Sequence, residues 1–113
     1  MNLENTQVQI RKGILEYCIL NIISRGEVYA SDMLDELTAA RMIVVEGTLY
    51  PLLTRLKNAG LLEYKWVESK SGPPRKYYKL TGEGINFLHG LTETWSEVVR
   101  STEMIINRSK ANV

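Results

Sequence analysis

Residues 46–60 read EGTLYPLLTRLKNAG, and the way Tyr50 and Pro51 are accommodated there decides the fold. Leu49, Leu52, Leu53 and Leu56 fall at i, i+3, i+4 and i+7, the spacing of one helix face. The pattern predicts a helix over residues 47–59 with a leucine-lined inner side, stopped by Gly60. At about 100° per residue the opposite side holds Gly47, Tyr50, Pro51, Thr54 and Asn58, flanked by Thr48 and Arg55. Pro51 is tolerated if it falls in the first turn, whose N–H groups have no intrahelical partner to lose. The expected result is a short helix with a hydroxyl-rich side, free of carboxylates, turned outward.

Upstream, residues 8–24 read as a first helix. Ile10, Ile14, Cys18 and Ile22 recur at i+4, and Leu15, Ile19 and Ile23 widen the stripe beyond what one partner covers. Arg25 and Gly26 end it. Val28 and Tyr29 fit a short strand, residues 30–40 a second helix with Met33, Leu34 and Leu37 inward, and residues 42–45 a short connection. Downstream, Leu62, Tyr64 and Trp66 alternate with Glu63, Lys65 and Val67, and Tyr78 and Leu80 with Tyr77 and Lys79. These are two strands of a hairpin, with Gly72, Pro73 and Pro74 expected to fix its tip and Trp66 expected in the core. Thr81 caps a final long helix with Glu83 near its positive end. On that helix Leu88, Leu91, Trp95, Val98, Thr102 and Ile105 follow 3,4,3,4,3 spacing, a seam for another helix. The fold class is mainly α (α+β), a winged helix-turn-helix over residues 1–81 with a long C-terminal helix over residues 82–113, in one compact unit.

At 113 residues the chain is a single domain able to bury roughly two thirds of its unfolded surface. It has no run of about 18 to 20 apolar residues that would span a membrane and no secretory signal, so a cytoplasmic location is expected. One cysteine, Cys18, forms no internal disulfide. With a single histidine, His89, there is no metal cluster and no catalytic set of nucleophile, base and orienting acid; no cofactor, metal or enzymatic activity is expected. Charge is distributed unevenly. From residue 55 to residue 79 seven bases (Arg55, Lys57, Lys65, Lys70, Arg75, Lys76, Lys79) face two acids (Glu63, Glu68), a local +5; the rest carries seven bases and eleven acids. Such a segment on an acidic body suits a polyanion.

Three short helices followed by a basic hairpin is the order in which the third helix enters a major groove and the hairpin lies along the backbone. Thr48, Tyr50, Thr54 and Asn58 can approach base edges and phosphates, and Arg55 can reach a phosphate or a guanine. Lys70, Arg75 and Lys76 can neutralise phosphates. Tyr77 and Tyr78 read as wing packing, Cys18 as an inert buried thiol and His89 as structural or solvent-facing. The C-terminal seam (Leu88, Leu91, Trp95, Val98, Thr102, Ile105) and the surplus face of the first helix (Ile14, Leu15) call for a homodimer. Paired across a two-fold axis, Trp95 with Leu91 and Val98 would form a platform for a small aromatic or phenolic effector.

GTLYPLLTRLKNAGLL, the tryptophan downstream and GPPRKYYKLTGEG together resemble the PadR family of bacterial transcriptional regulators over about residues 8–106. The similarity is to short members with a single C-terminal helix. It implies a dimer on pseudo-palindromic operator DNA, commonly a repressor, with Thr48, Tyr50, Pro51 and Arg55 in the recognition helix and Arg75, Lys76 and Tyr77 in the wing. Ala30 and Ser31 stand where many relatives have glycine and tyrosine, and Glu46 where a small hydroxyl residue is common. An acid there suits the helix dipole and repels phosphate. The rival to a DNA-binding regulator is a winged-helix module that binds protein and no DNA.

Overall fold

The computed structural model describes residues 1–42 and 44–111; Ile43 of the expected connection and the last two residues of the C-terminal segment lie outside them. Along the chain run α1 (Leu3–Ser24), β1 (Val28–Tyr29), α2 (Ala30–Ala39), α3 (Glu46–Asn58), β2 (Leu62–Ser69), β3 (Gly72–Leu80) and α4 (Gly82–Ala111). This is the expected winged helix-turn-helix followed by a long helix. α1 begins five residues before the expected residue 8, because the Asn2 side chain caps it by accepting from the Asn5 N–H at 3.3 Å. Its apolar stripe alone does not announce that start, since Met1, Leu3 and Val8 are exposed.

The first three helices converge on one core. Ile19, Leu20 and Ile23 of α1, Met33 and Leu37 of α2, and Leu49 and Leu53 of α3 are fully buried. Leu62 and Tyr78 close it from the sheet and Leu88 from α4. The α3 leucines drive its seating: removing a buried leucine side chain costs about 2–5 kcal/mol. Cys18 is half-buried, and burial pushes its thiol up from the ordinary range, which suits the inert reading. His89 is exposed.

The sheet has the order β1–β3–β2, antiparallel throughout. Register places Leu62, Tyr64 and Trp66 opposite Leu80, Tyr78 and Lys76. The hairpin tip differs from the expectation. Ser69 pairs with Gly72, so the turn is Lys70–Ser71, and Gly72, Pro73 and Pro74 belong to β3. Between the Val67–Arg75 and Ser69–Gly72 pairs, β2 supplies one residue and β3 two, a bulge occupied by the two prolines. Proline lacks a donor, and a bulge next to an uncovered strand margin tolerates that loss.

The junction before α4 is held by a small polar node. Gly60 takes φ 84 at the end of α3, and Thr81 Oγ1 donates to its carbonyl at 2.6 Å. The same Oγ1 accepts from the Gly84 N–H at 3.0 Å, the expected helix cap.

Candidate nucleic-acid interface

With its leucine side buried, α3 turns Gly47, Thr48, Tyr50, Pro51, Thr54, Arg55 and Asn58 to the surface, as the spacing predicted. Its start carries one correction. Val45 is the N-cap, with its carbonyl accepting from the N–H groups of Thr48 and Leu49 at 2.9 and 3.1 Å. Pro51 is therefore the sixth residue of α3, past the first turn, and withholds a hydrogen bond from the carbonyl of Gly47. Gly47 is exposed, so the lost bond falls at a surface position, where leaving a carbonyl without an intrahelical partner costs little. Glu46 is the first residue of α3, a favourable place for an acid beside the helix dipole.

The wing lies beside this face. Tyr50 of α3, Tyr29, Ala30 and Ser31 at the start of α2, and Trp66, Pro74, Arg75, Lys76 and Tyr78 of the sheet line one open cleft of about 300 Å³. Tyr50 and the basic residues of the wing thus share one side of the molecule. Trp66 corrects the sequence reading: it is 61% exposed, not core. Its alternation is as expected, on the same face as buried Leu62 and Tyr78. However, four residues along a strand carry it about 13 Å past Leu62, beyond the reach of the helices. Tyr64 packs edge-on against it at 6.0 Å.

Contacts sort the seven bases of the basic segment. Arg55 pairs with Glu16 of α1, Lys65 with Glu27 at 3.1 Å, and Lys79 with Glu63 at 3.2 Å. These are exposed pairs worth about 0–1 kcal/mol each, so they hold the side chains loosely. Lys57, Lys70, Arg75 and Lys76 have no acidic partner among the described residues. Lys70 stands exposed in the turn. The Lys76 ammonium sits 4.5 Å from the Tyr64 ring centre and 5.4 Å from that of Trp66. Arg75 is engaged otherwise, with its guanidinium 4.0 Å from the Tyr29 ring centre and hydrogen-bonded to Ser31 Oγ. Nothing in the sequence links Arg75 to a serine 44 positions away. Tyr77 is half-buried and stacks on Tyr29 with ring centres 4.6 Å apart, and Tyr78 is buried; both pack the wing as expected.

A second surface lies along α1 and α4. Tyr17 donates to Thr92 Oγ1 at 3.2 Å and its ring lies 6.3 Å from that of Trp95. Of the seam residues, Leu88 is buried in the chain's own core, as is Leu15 of α1. Leu91 and Ile14 are partly buried, while Trp95 (39%), Val98 (50%) and Ile105 (66%) are open, with Thr102 exposed between the last two. Among the described residues no His, Cys, Asp or Glu group could hold a metal ion, and no helix is long and apolar enough to cross a membrane.

Known proteins share this fold. The profile of the transcriptional regulator PadR-like family matches residues 19–90. A PadR-like transcription factor from Bacteroides fragilis is 57% identical, with 89% of this chain and 98% of that one covered at a TM-score of 0.75. A PadR family regulator from Eggerthella lenta is 28% identical over 92% and 91% of the two chains, at 0.84. Bacillus subtilis PadR, solved in complex with operator DNA, shares the fold at 23% identity and a TM-score of 0.65, over 70% of this chain and 46% of that one. The match spans the end of α1, all of α2 and α3, the wing and the start of α4, and the chain belongs to the PadR-like family of transcriptional regulators.

Proposed function

We propose that the chain is a cytoplasmic, homodimeric transcriptional repressor that reads a pseudo-palindromic operator with α3 and holds it with the wing. One observation carries this reading: Tyr50, on the exposed side of α3, lines one cleft with Arg75 and Lys76 of the wing. Thr48, Tyr50, Pro51, Thr54 and Asn58 face the groove in this reading, and Lys70 and Lys76 take backbone phosphates. Arg55 reaches a phosphate by leaving Glu16, an exchange that a weak surface pair permits. Arg75 and Tyr77 set the shape of the wing beside them. Bacillus subtilis PadR, with the same fold, has been solved on operator DNA, which supports duplex DNA as the partner.

The open seam of Leu91, Trp95, Val98, Thr102 and Ile105 supports a two-fold partner of the same kind. Trp95, Leu91 and Val98 beside Tyr17 would then take a flat aromatic or phenolic effector that releases DNA. The test is a gel shift of the chain on DNA from upstream of its own gene at two salt concentrations. A specific complex should form whose affinity falls with salt by a log–log slope of about −0.9 per phosphate contact. Capture of a protein partner with no binding to any duplex would favour the protein-interaction module instead.

A further inference from the structure

The outer margin of β3 loses its neighbour partway along the wing. β1 covers it only as far as the Tyr29–Tyr77 pair, because the chain enters α2 at Ala30. Past that point Arg75 and Lys76 have no strand on that side, and Pro73 and Pro74 bring no N–H groups to the bulge. A bare two-stranded ribbon is marginal in water and free to swing.

Where the backbone pairing stops, the side chain of Arg75 continues the connection. Its guanidinium lies over the Tyr29 ring at 4.0 Å and donates to Ser31 Oγ in the first turn of α2. Tyr29 is itself fixed twice, by its stack on Tyr77 at 4.6 Å and by its N–H, which donates to the Asp32 carboxylate at 3.3 Å. One planar group therefore bridges the distal wing to the helix preceding α3. A lysine reproduces this poorly, since a compact ammonium lacks the flat face that stacks on Tyr29 and the forked donors that reach Ser31 at the same time.

We propose that Arg75 is a positioning residue: it acts as a strut that fixes the angle between the wing and the helix-turn-helix, so that Lys70, Lys76 and the outer side of α3 meet one duplex together. The proposal rests on the DNA-binding reading above and gives Arg75 a role other than phosphate contact. Losing the strut makes the wing pay its ordering entropy on binding, while the number of neutralised phosphates stays the same.

Two measurements on the full chain decide it. In the first, Arg75→Ala, Arg75→Lys, Tyr29→Leu and Ser31→Ala are titrated with the upstream duplex over a range of salt, with melting curves to confirm that each folds. Arg75→Lys should lose as much affinity as Arg75→Ala, roughly tenfold, with Tyr29→Leu close behind. Combining Arg75→Lys with Tyr29→Leu should add little, and every salt slope should stay at the wild-type value. An Arg75→Lys variant that binds like wild type, with Arg75→Ala flattening the slope by about 0.9, makes Arg75 a phosphate ligand and overturns the proposal. The second measurement needs no DNA. Amide hydrogen exchange in β2 and β3 of the free protein should quicken around Val67 and Lys76 in both Arg75 variants, and unchanged protection there overturns the strut. Wild type that binds no duplex ends the DNA-binding reading, and the exchange result still decides whether Arg75 holds the wing.

Discussion

An indole 61% exposed in a cleft with Tyr50 and Lys76 is apolar surface left in water, and a sugar–phosphate strand laid along the cleft would cover it. That gives Trp66 a spectroscopic signature. In a Trp95→Phe background Trp66 is the sole tryptophan, and its emission should be quenched and shifted to the blue as the upstream duplex saturates the protein. Emission that stays constant at saturation would remove Trp66 from the interface. The same exposure predicts that Trp66→Ala costs under about 1 kcal/mol of stability, where a core tryptophan would cost about 3–5. Alternation in the sequence established which face of the strand Trp66 occupies. Depth was beyond its reach, because a period of two says nothing about where the covering helices end. Arg75 presents the converse: its charge was plain, whereas its engagement with Tyr29 and Ser31 depends on a fold that joins distant positions.

Among the elements, α4 is seated most tightly at its start. A Cβ at Gly84 would lie 2.1 Å from the carbonyl oxygen of Leu61, a backbone atom that cannot swing aside. Gly84→Ala must therefore push α4 away from the α3–β2 junction, straining the Thr81 cap, at a cost of about 1–3 kcal/mol or more. Gly90, one and a half turns on, has open space, and Gly90→Ala should gain about 0.5–1 kcal/mol. Urea unfolding of the two variants provides the comparison; equal midpoints would show that the close approach at Gly84 is unimportant. At this scale the sequence was most legible, because helical spacing over α3 and α4 and period-two alternation over β2 are repeated signals. Its errors fell on positions without repetition. Pro51 was set in the first turn on a start judged to within a residue, and Gly72, Pro73 and Pro74 were taken for a turn because the bulge that accommodates them leaves no mark in a single strand's sequence.

The whole molecule is too long for its mass. A compact chain of this size has a radius of gyration of about 13 Å, whereas this one has 16.9 Å and extents of 61 × 31 × 21 Å. The excess comes from α4, whose 30 residues run about 45 Å, and from the first half of α1; residues 1–13 and 100–110 are exposed throughout. A helix that displays Trp95, Val98, Met104, Ile105 and Ile106 to water gains little by staying helical alone, since most helical stability in proteins comes from packing an apolar face. The proposed second copy would supply that packing and would also set two α3 helices at a fixed separation, which is what two half-sites on one duplex require. Ile105→Glu with Val98→Glu places charges in the seam while leaving the Leu88 end of α4 in the core. The double variant should sediment as a monomer at concentrations where wild type is a dimer. Its affinity for the two-half-site duplex should fall by about 10²–10⁴-fold, because the second α3 no longer binds at the raised local concentration that a tether provides. Its affinity for a single half-site should stay close to that of wild type, which separates a lost partner from a damaged α3. A variant that remains dimeric with both charges in place would move the interface off α4 and leave the exposed seam without its occupant.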